Sequence, residues 1–352
     1  MNAWLLRRGV TIAPILQMQL LSRSLPVFAT SGTATDANSS NYNNQCQASG
    51  LPQRISFDIS SLTTSQKTNL YLCWYNESNS GYDQSVSGST PTNLPLAYTI
   101  ETNTAAGGSL PGSGWSTAAT VTGNLYVGRE HSVNASGTNW VSMNISTSSG
   151  GNPNVKIDLY DATYGIRGIR NVGDSVTNYC MQQSNANGVS CDSFGNLVAA
   201  SKGYTPPQFC SGQPGWLAGD VDTAIGTWLP FWSSKYVMVA IGTNDSGLAY
   251  GATNFPTTYP SILDKIIAAG KIPICPSIIW SSDAGRQANL ASYNSAITTF
   301  AAARPTAIIG PDLFTYFQNN PSFIDVDTIH PTPTGMAAYR NFVVSWWNGK
   351  TL

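Results

Sequence analysis

The hydrophobic pattern of this chain changes once, near residue 166. From about residue 55 to residue 163, apolar and polar positions alternate in short runs separated by Gly, Ser, Asn and Pro. The runs cover residues 55–59, 69–75, 96–102, 120–127, 140–145 and 155–160. Alternation with a period of two puts successive side chains on opposite faces of a strand. No helical periodicity interrupts these runs, so the segment predicts an all-β sandwich of the jelly-roll kind.

Beyond residue 166 the apolar runs become continuous and alternate with helical stretches. A strand at 169–172 leads directly into Gly173-Asp174-Ser175, and a strand at 236–241 ends at Gly242-Thr243-Asn244-Asp245. A helix at 259–269, a strand at 272–279, a helix at 287–303 and a strand at 307–309 follow. A last amphipathic helix at 335–347 comes after His330-Pro331. Strands that are apolar throughout, joined by helices, form parallel sheets covered on both faces. Both polar signatures fall just past the C-terminal ends of their strands, where open parallel sheets bind ligands.

Length and charge refine this picture. A chain of 352 residues exceeds the ~250–300 that one core supports, which predicts two domains. We expect a leader at 1–29, a linker at 30–50, the sandwich at 51–165 and the α/β domain at 166–352. Arg7 and Arg8 precede a largely apolar run, and Val27-Phe28-Ala29 offers small residues for cleavage, which predicts a secreted or periplasmic protein. Ser22 and Arg23 arrive too early for a membrane span in the mature chain. Charged residues make up only 10%, against a usual ~25%, and 17 basic residues balance 18 acidic ones. Such a surface has no field for nucleic acid. Ten Trp and sixteen Tyr suit stacking on sugar rings or apolar ligands, and serve core packing equally.

Six cysteines in an exported chain point to disulfides. Cys46 and Cys73 lie in one half and are placed to pair there. Cys180, Cys191, Cys210 and Cys275 lie in the other, with Cys275 in a buried strand and expected to stay free. No Cys-x-x-Cys and no His cluster exists, so neither a metal nor another cofactor is called for.

The chemistry is constrained by scarcity. Only His131 and His330 are available as a base that titrates near neutrality. His131, in Arg129-Glu130-His131, reads as a strand-edge surface residue. His330 has Asp327 three positions before it and Pro331 after it. His330 can take the proton of Ser175, whose hydroxyl is a poor nucleophile without a base. Asp327 can hold the other ring nitrogen, and the Asn244 amide can join the Ser175 N–H at an oxyanion. Taken singly, each motif is an ordinary turn or helix cap; their joint occurrence at strand ends of one domain is what points to catalysis. Gly-x-Ser-x-Gly and His-Glu-x-x-His are both absent.

On these residues the segment from about 169 to 347 resembles the SGNH (GDSL-type) hydrolases. Ser175 matches the serine block, Asn244 in Gly242-Thr243-Asn244-Asp245 the asparagine block, and Asp327-x-x-His330-Pro331 the histidine block. The resemblance implies a flavodoxin-like three-layer α/β/α domain and metal-free ester hydrolysis. It also implies a glycine whose N–H completes the oxyanion hole. Gly219 is expected there, with Gly215 and Gly212 as alternatives. A jelly-roll-like domain ahead of such a hydrolase is similar to two-domain acetylxylan esterases. The expected substrate is therefore an acylated polysaccharide, losing O-acetyl groups through a Ser175-His330-Asp327 triad. The alternatives are a short-chain lipid or polyester esterase acting on a small ester, and a carbohydrate-binding protein with a relic hydrolase domain.

Overall fold

The computed structural model describes residues 18–38, 45–76, 93–124, 126, 128–165, 169–181, 208–232 and 234–350. The N-terminal part is a sandwich of two antiparallel sheets. One sheet has the order β1-β10-β5-β8, with β3 beside β10: β1 (Gln19–Leu20), β3 (Cys46–Gln47), β5 (Leu70–Tyr75), β8 (Gly128–Val133) and β10 (Asn154–Asp161). The other has the order β2-β4-β9-β6-β7: β2 (Val27–Ala29), β4 (Gln53–Asp58), β6 (Pro95–Asn103), β7 (Ser116–Val121) and β9 (Trp140–Ser148). Alternation decides which side chains face inward. Leu70, Leu72 and Trp74 of one sheet meet Ile55, Phe57, Tyr98, Ile100, Val141 and Met143 of the other in a single core. Two short helices, α1 (Ala34–Ala37) and α2 (Thr64–Thr68), lie outside the strands.

Four expectations for this half are corrected. Residues 18–29 are built into the sandwich: β1 pairs with β10, β2 pairs with β4, and Met18, Leu21 and Leu25 are buried. A cleavage after Ala29 would strip both strands away, so the β domain begins no later than Met18. The expected linker likewise supplies α1 and β3. Cys46 and Cys73 are free, because they occupy different sides of a sheet. Cys46 sits in the inter-sheet core, whereas Cys73 points to the opposite face with Met18, Tyr71 and Tyr160. Cys180 and Cys275 are also free, while Cys191 and the Cys210 side chain lie outside the described residues. The run at 120–127 is not one strand. It turns after Val121, and Tyr126 leaves the sandwich to join the hydrophobic core of the second domain.

That second domain has a five-stranded parallel sheet in the order β12-β11-β13-β14-β15. Its strands are β11 (Ile169–Gly173), β12 (Gln208–Gly212), β13 (Tyr236–Ala240), β14 (Ile272–Cys275) and β15 (Ile308–Ile309). The helices are α3 (Ser175–Met181), α4 (Ala218–Trp228), α5 (Phe255–Ala268), α6 (Ala284–Ala302), α7 (Leu313–Gln318) and α8 (Pro333–Asn348). This is the flavodoxin-like strand order. The reason β13 reads as continuously apolar is visible in its packing. Val237 and Val239 face α4, α5 and α6, while Tyr236 and Met238 face α3, α7 and α8. Three layers result, as expected. β14 stops at Cys275 rather than running to residue 279, since Pro276 has no N–H for the ladder.

The sandwich meets the α/β domain at the N-terminal ends of the parallel strands. Glu130 of β8 accepts a 2.6 Å bond from Ser234 and lies 3.8 Å from Arg170, near the start of β11. The Arg170 guanidinium stacks on Trp232, and Lys271 donates to the carbonyls of Trp232 and Ser234. The Tyr126 hydroxyl reaches the Thr227 carbonyl near the end of α4. All of these contacts lie at the opposite end of the sheet from Ser175 and Asn244.

Candidate active site

In this strand order the chain leaves β11 and β13, adjacent strands, toward helices on opposite faces, which opens a crevice between their C-terminal ends. Ser175 stands at one lip as the first residue of α3, and Asn244 at the other. Asp174 clamps the two loops together. Its buried carboxylate accepts from Val176 N on one side and from Thr243 N on the other, each at 3.0 Å. Burial pushes this carboxyl up, and the bonds from Thr243 and Val176 pull against it. A side chain at Gly173 would meet the Ala240 carbonyl and the Thr177 hydroxyl at 2.1 Å, so only glycine lets the strand enter the turn here.

The third polar motif closes onto the first. His330 Nε2 lies 2.7 Å from Ser175 Oγ, and His330 Nδ1 lies 2.6 Å from Asp327 Oδ2. Asp327 Oδ1 accepts from the amides of Ile329 and His330, both at 2.9 Å. Partial burial alone would raise the Asp327 carboxyl. The two amides and the imidazole outweigh it and hold the group below the usual carboxylate range. An ionised Asp327 only accepts, so Nδ1 carries the ring proton and Nε2 offers its lone pair to the serine hydroxyl. The Tyr179 ring meets the imidazole edge-on at 5.2 Å. Asp327 is not a helix cap; that task falls to Thr332, which accepts from Gly335 N at 3.0 Å as Pro333 opens α8.

The loop carrying this pair turns sharply. Thr328 has φ +70°, a conformation that costs a β-branched residue about 1–3 kcal/mol and has to be held by its surroundings. Its carbonyl accepts from the Ser281 hydroxyl at 2.7 Å and from Ser282 N at 3.1 Å.

On the opposite lip, Asn244 Nδ2 donates to the Trp216 carbonyl at 2.9 Å, which orients the amide and leaves it one further N–H. Trp216 ends a type II turn: Pro214 and Gly215 are its central residues, Gly215 has φ +81°, and Trp216 N returns to Gln213 O at 3.3 Å. Asp245 anchors the start of α4 by accepting from Ala218 N at 3.1 Å. Burial outweighs that bond and pushes Asp245 up to about 6. Asn244 is therefore joined to the Gly215–Trp216 turn and not to Gly219. Gly219 lies inside the first turn of α4, where a side chain would contact Thr258 of α5. Gly212, the third candidate, ends β12 with its Cα against the backbone of Asn178.

The structure brings Ser175, His330 and Asp327 within hydrogen-bond reach of one another, with Asn244 on the facing lip. His131 does lie on an edge strand, but it is half-buried and its ring is turned inward. It faces between the sheets, 2.9 Å from the Tyr98 hydroxyl, and burial followed by the nearby Arg129 lowers it to about 4. Asp174, Trp216, Asp245, Ser281 and Thr328 were not singled out from the sequence. Asp174 and Asp245 lie inside the recognised motifs and were legible by position. Ser281 had no local signal, because its partner is distant in the chain. Among the described residues, no group of three or more His, Cys, Asp or Glu could hold a metal ion. Among the same residues, no helix is long and apolar enough to cross a membrane.

Residues 172–338 match the model of the GDSL-like Lipase/Acylhydrolase family. No curated protein matches the chain. Similar solved structures include a lipase/acylhydrolase from Enterococcus faecalis, with 19% identity and a TM-score of 0.42 over 51% of this chain and 94% of that one. A variant of an acetyl xylan esterase from Geobacillus stearothermophilus has 14% identity and a TM-score of 0.42 over 53% of this chain and 98% of that one. The Bacillus subtilis protein YXIM has 12% identity and a TM-score of 0.44, and extends over 94% of this chain and 90% of that one.

Proposed function

We propose, from the match of residues 172–338 to the GDSL-like lipase/acylhydrolase family, that the protein is a serine ester hydrolase working through an acyl-enzyme. One observation carries the reading: the unbroken relay from Ser175 Oγ to His330 Nε2 at 2.7 Å and from His330 Nδ1 to Asp327 Oδ2 at 2.6 Å. Ser175 attacks the ester carbonyl as His330 takes its proton, and Asp327 stabilises the imidazolium. The carbonyl oxygen gains negative charge and is met by the Ser175 N–H and the free N–H of the Asn244 amide. We assign the third donor to the Gly215 N–H in place of Gly219, because Asn244 is bonded to the residue next to Gly215. The ester C–O bond breaks as His330 protonates the departing alkoxide. Water, deprotonated by His330, then releases the acid and restores Ser175.

For the substrate we propose O-acetyl groups on a neutral polysaccharide. Ser175 is only 5% exposed beneath His330, which favours a small acyl group. A surface with few charges and many hydroxyl and amide groups suits an uncharged, hydrogen-bonding polymer. A second reading, a short-chain lipid or polyester esterase, is favoured by exposed Leu217, Leu248 and Val326 in the loops beside the site. The test is acetate release from acetylated xylan and glucomannan, compared with p-nitrophenyl esters of increasing chain length. Acetate release that disappears in Ser175→Ala is expected. Rates that climb with acyl length would favour the second reading. If a serine-directed phosphonate never labels Ser175, the protein is a carbohydrate-binding relic instead.

A further inference from the structure

Asp327 and His330 are three residues apart, yet the carboxylate must face both the imidazole and the two amides that precede it. That demands a reversal at Thr328, in the left-handed region that side chains branched at Cβ avoid. Within the loop, Thr328 N donates to Asp325 O at 2.9 Å, and Asp325 N returns to His330 O at 2.8 Å. From outside the loop, Thr328 O is gripped by the Ser281 hydroxyl at 2.7 Å and Ser282 N at 3.1 Å. Ser281 is buried, and its oxygen already accepts from Asp283 N at 3.1 Å, leaving its single proton for Thr328. Asp283 in turn caps α6 by accepting from Arg286 N at 2.8 Å.

We propose that Ser281 is a positioning residue for the Asp327–His330 pair, locking Thr328 in its left-handed conformation by anchoring the Thr328 carbonyl to the start of α6. The proposal rests on the serine-hydrolase reading of Ser175. Without the hydroxyl, Thr328 relaxes toward negative φ and the following peptide rotates. The Ile329 amide then leaves Asp327, and the carboxylate no longer fixes the imidazole ring. A displacement of about 1 Å in such a group costs up to ~100-fold in rate.

The mechanism makes a signature that simple destabilisation does not share. Ser281→Ala is expected to lower kcat on p-nitrophenyl acetate by about 10- to 100-fold, with KM changed less than about twofold. Thr328→Gly, which takes the same backbone conformation freely, is expected to restore most of the loss in the Ser281→Ala background. Ser281→Cys, similar in shape but a weak donor, is expected to fold and to show a smaller loss that Thr328→Gly also relieves. Unchanged kcat in Ser281→Ala, or a loss that glycine at 328 does not relieve in either background, overturns the proposal. A wild-type protein that neither hydrolyses the ester nor is labelled by a phosphonate overturns the esterase reading and this inference together. An active wild type with an indifferent Ser281 overturns this inference alone.

Discussion

The two ends of the parallel sheet are built from the same five strands and do opposite work. At the C-terminal end the chain spends its polar groups on loops: Asp174, Asn244, Asp245 and Thr328 each bond a partner distant in sequence, namely Thr243, Trp216, Ala218 and Ser281. At the N-terminal end the polar groups are sealed against a second domain, with Glu130, Arg170 and Ser234 buried together. Charge buried at a crevice is available to a substrate, whereas charge buried under a sandwich is available only to the fold. The difference teaches where a substitution should change rate and where it should change stability.

Breaking the catalytic end should give the largest effect. Replacing Ser175 or His330 by Ala is expected to cut kcat by about 10⁴–10⁶-fold, with little change in melting temperature, as read by steady-state kinetics and calorimetry. Asn244→Ala, which removes the proposed oxyanion donor, is expected to cost about 10²–10³-fold in kcat with KM nearly unchanged. Glu130→Ala tests the other end. Leaving Arg170 buried without this partner is expected to cost about 3–5 kcal/mol of stability in denaturant melts, while kcat well below the transition stays at the wild-type value. A Glu130 variant that loses kcat without losing stability would erase the contrast between the ends.

The smallest effect sharpens the comparison by pH. Asp245 titrates near 6 in the fold and near the ordinary carboxylate range when unfolded, so the folded state holds its proton more tightly. Its stabilising contribution is complete below about pH 4 and is lost as pH rises through 6. Asp245→Asn has no such loss. Its melting temperature is therefore expected to gain on the wild type, by a few degrees, between pH 4 and pH 7. A difference that stays constant over that range would remove Asp245 from the pH response.

Much of the catalytic end was legible because its chemistry is compact in sequence. Gly173-Asp174-Ser175 and Asp327-x-x-His330 each carry their partners within three residues, and the apolar run of β13 announced a strand buried on both faces. What escaped was set by distance. Ser281 meets Thr328 across 47 residues, and no local pattern marks a serine whose purpose is a remote carbonyl. Gly219 stands where the sequence turns helical, whereas the turn that reaches Asn244 belongs to Pro214-Gly215. The sandwich hid its start for a different reason. Leu21, Leu25 and Val27 are as apolar as a leader sequence requires, and composition alone does not separate a leader from two short edge strands.

Tyr126 leaves its own sandwich to fill the interior of the neighbouring domain, and that makes residue 166 a border of sequence style but not of heredity. A hydrolase segment cut away there would forfeit a core aromatic together with the carboxylate that answers Arg170. The two halves are therefore expected to be transferable between proteins only as a pair. A shuffled version joined to a foreign sandwich would need its own counterparts to Tyr126 and Glu130 before it could fold as one piece.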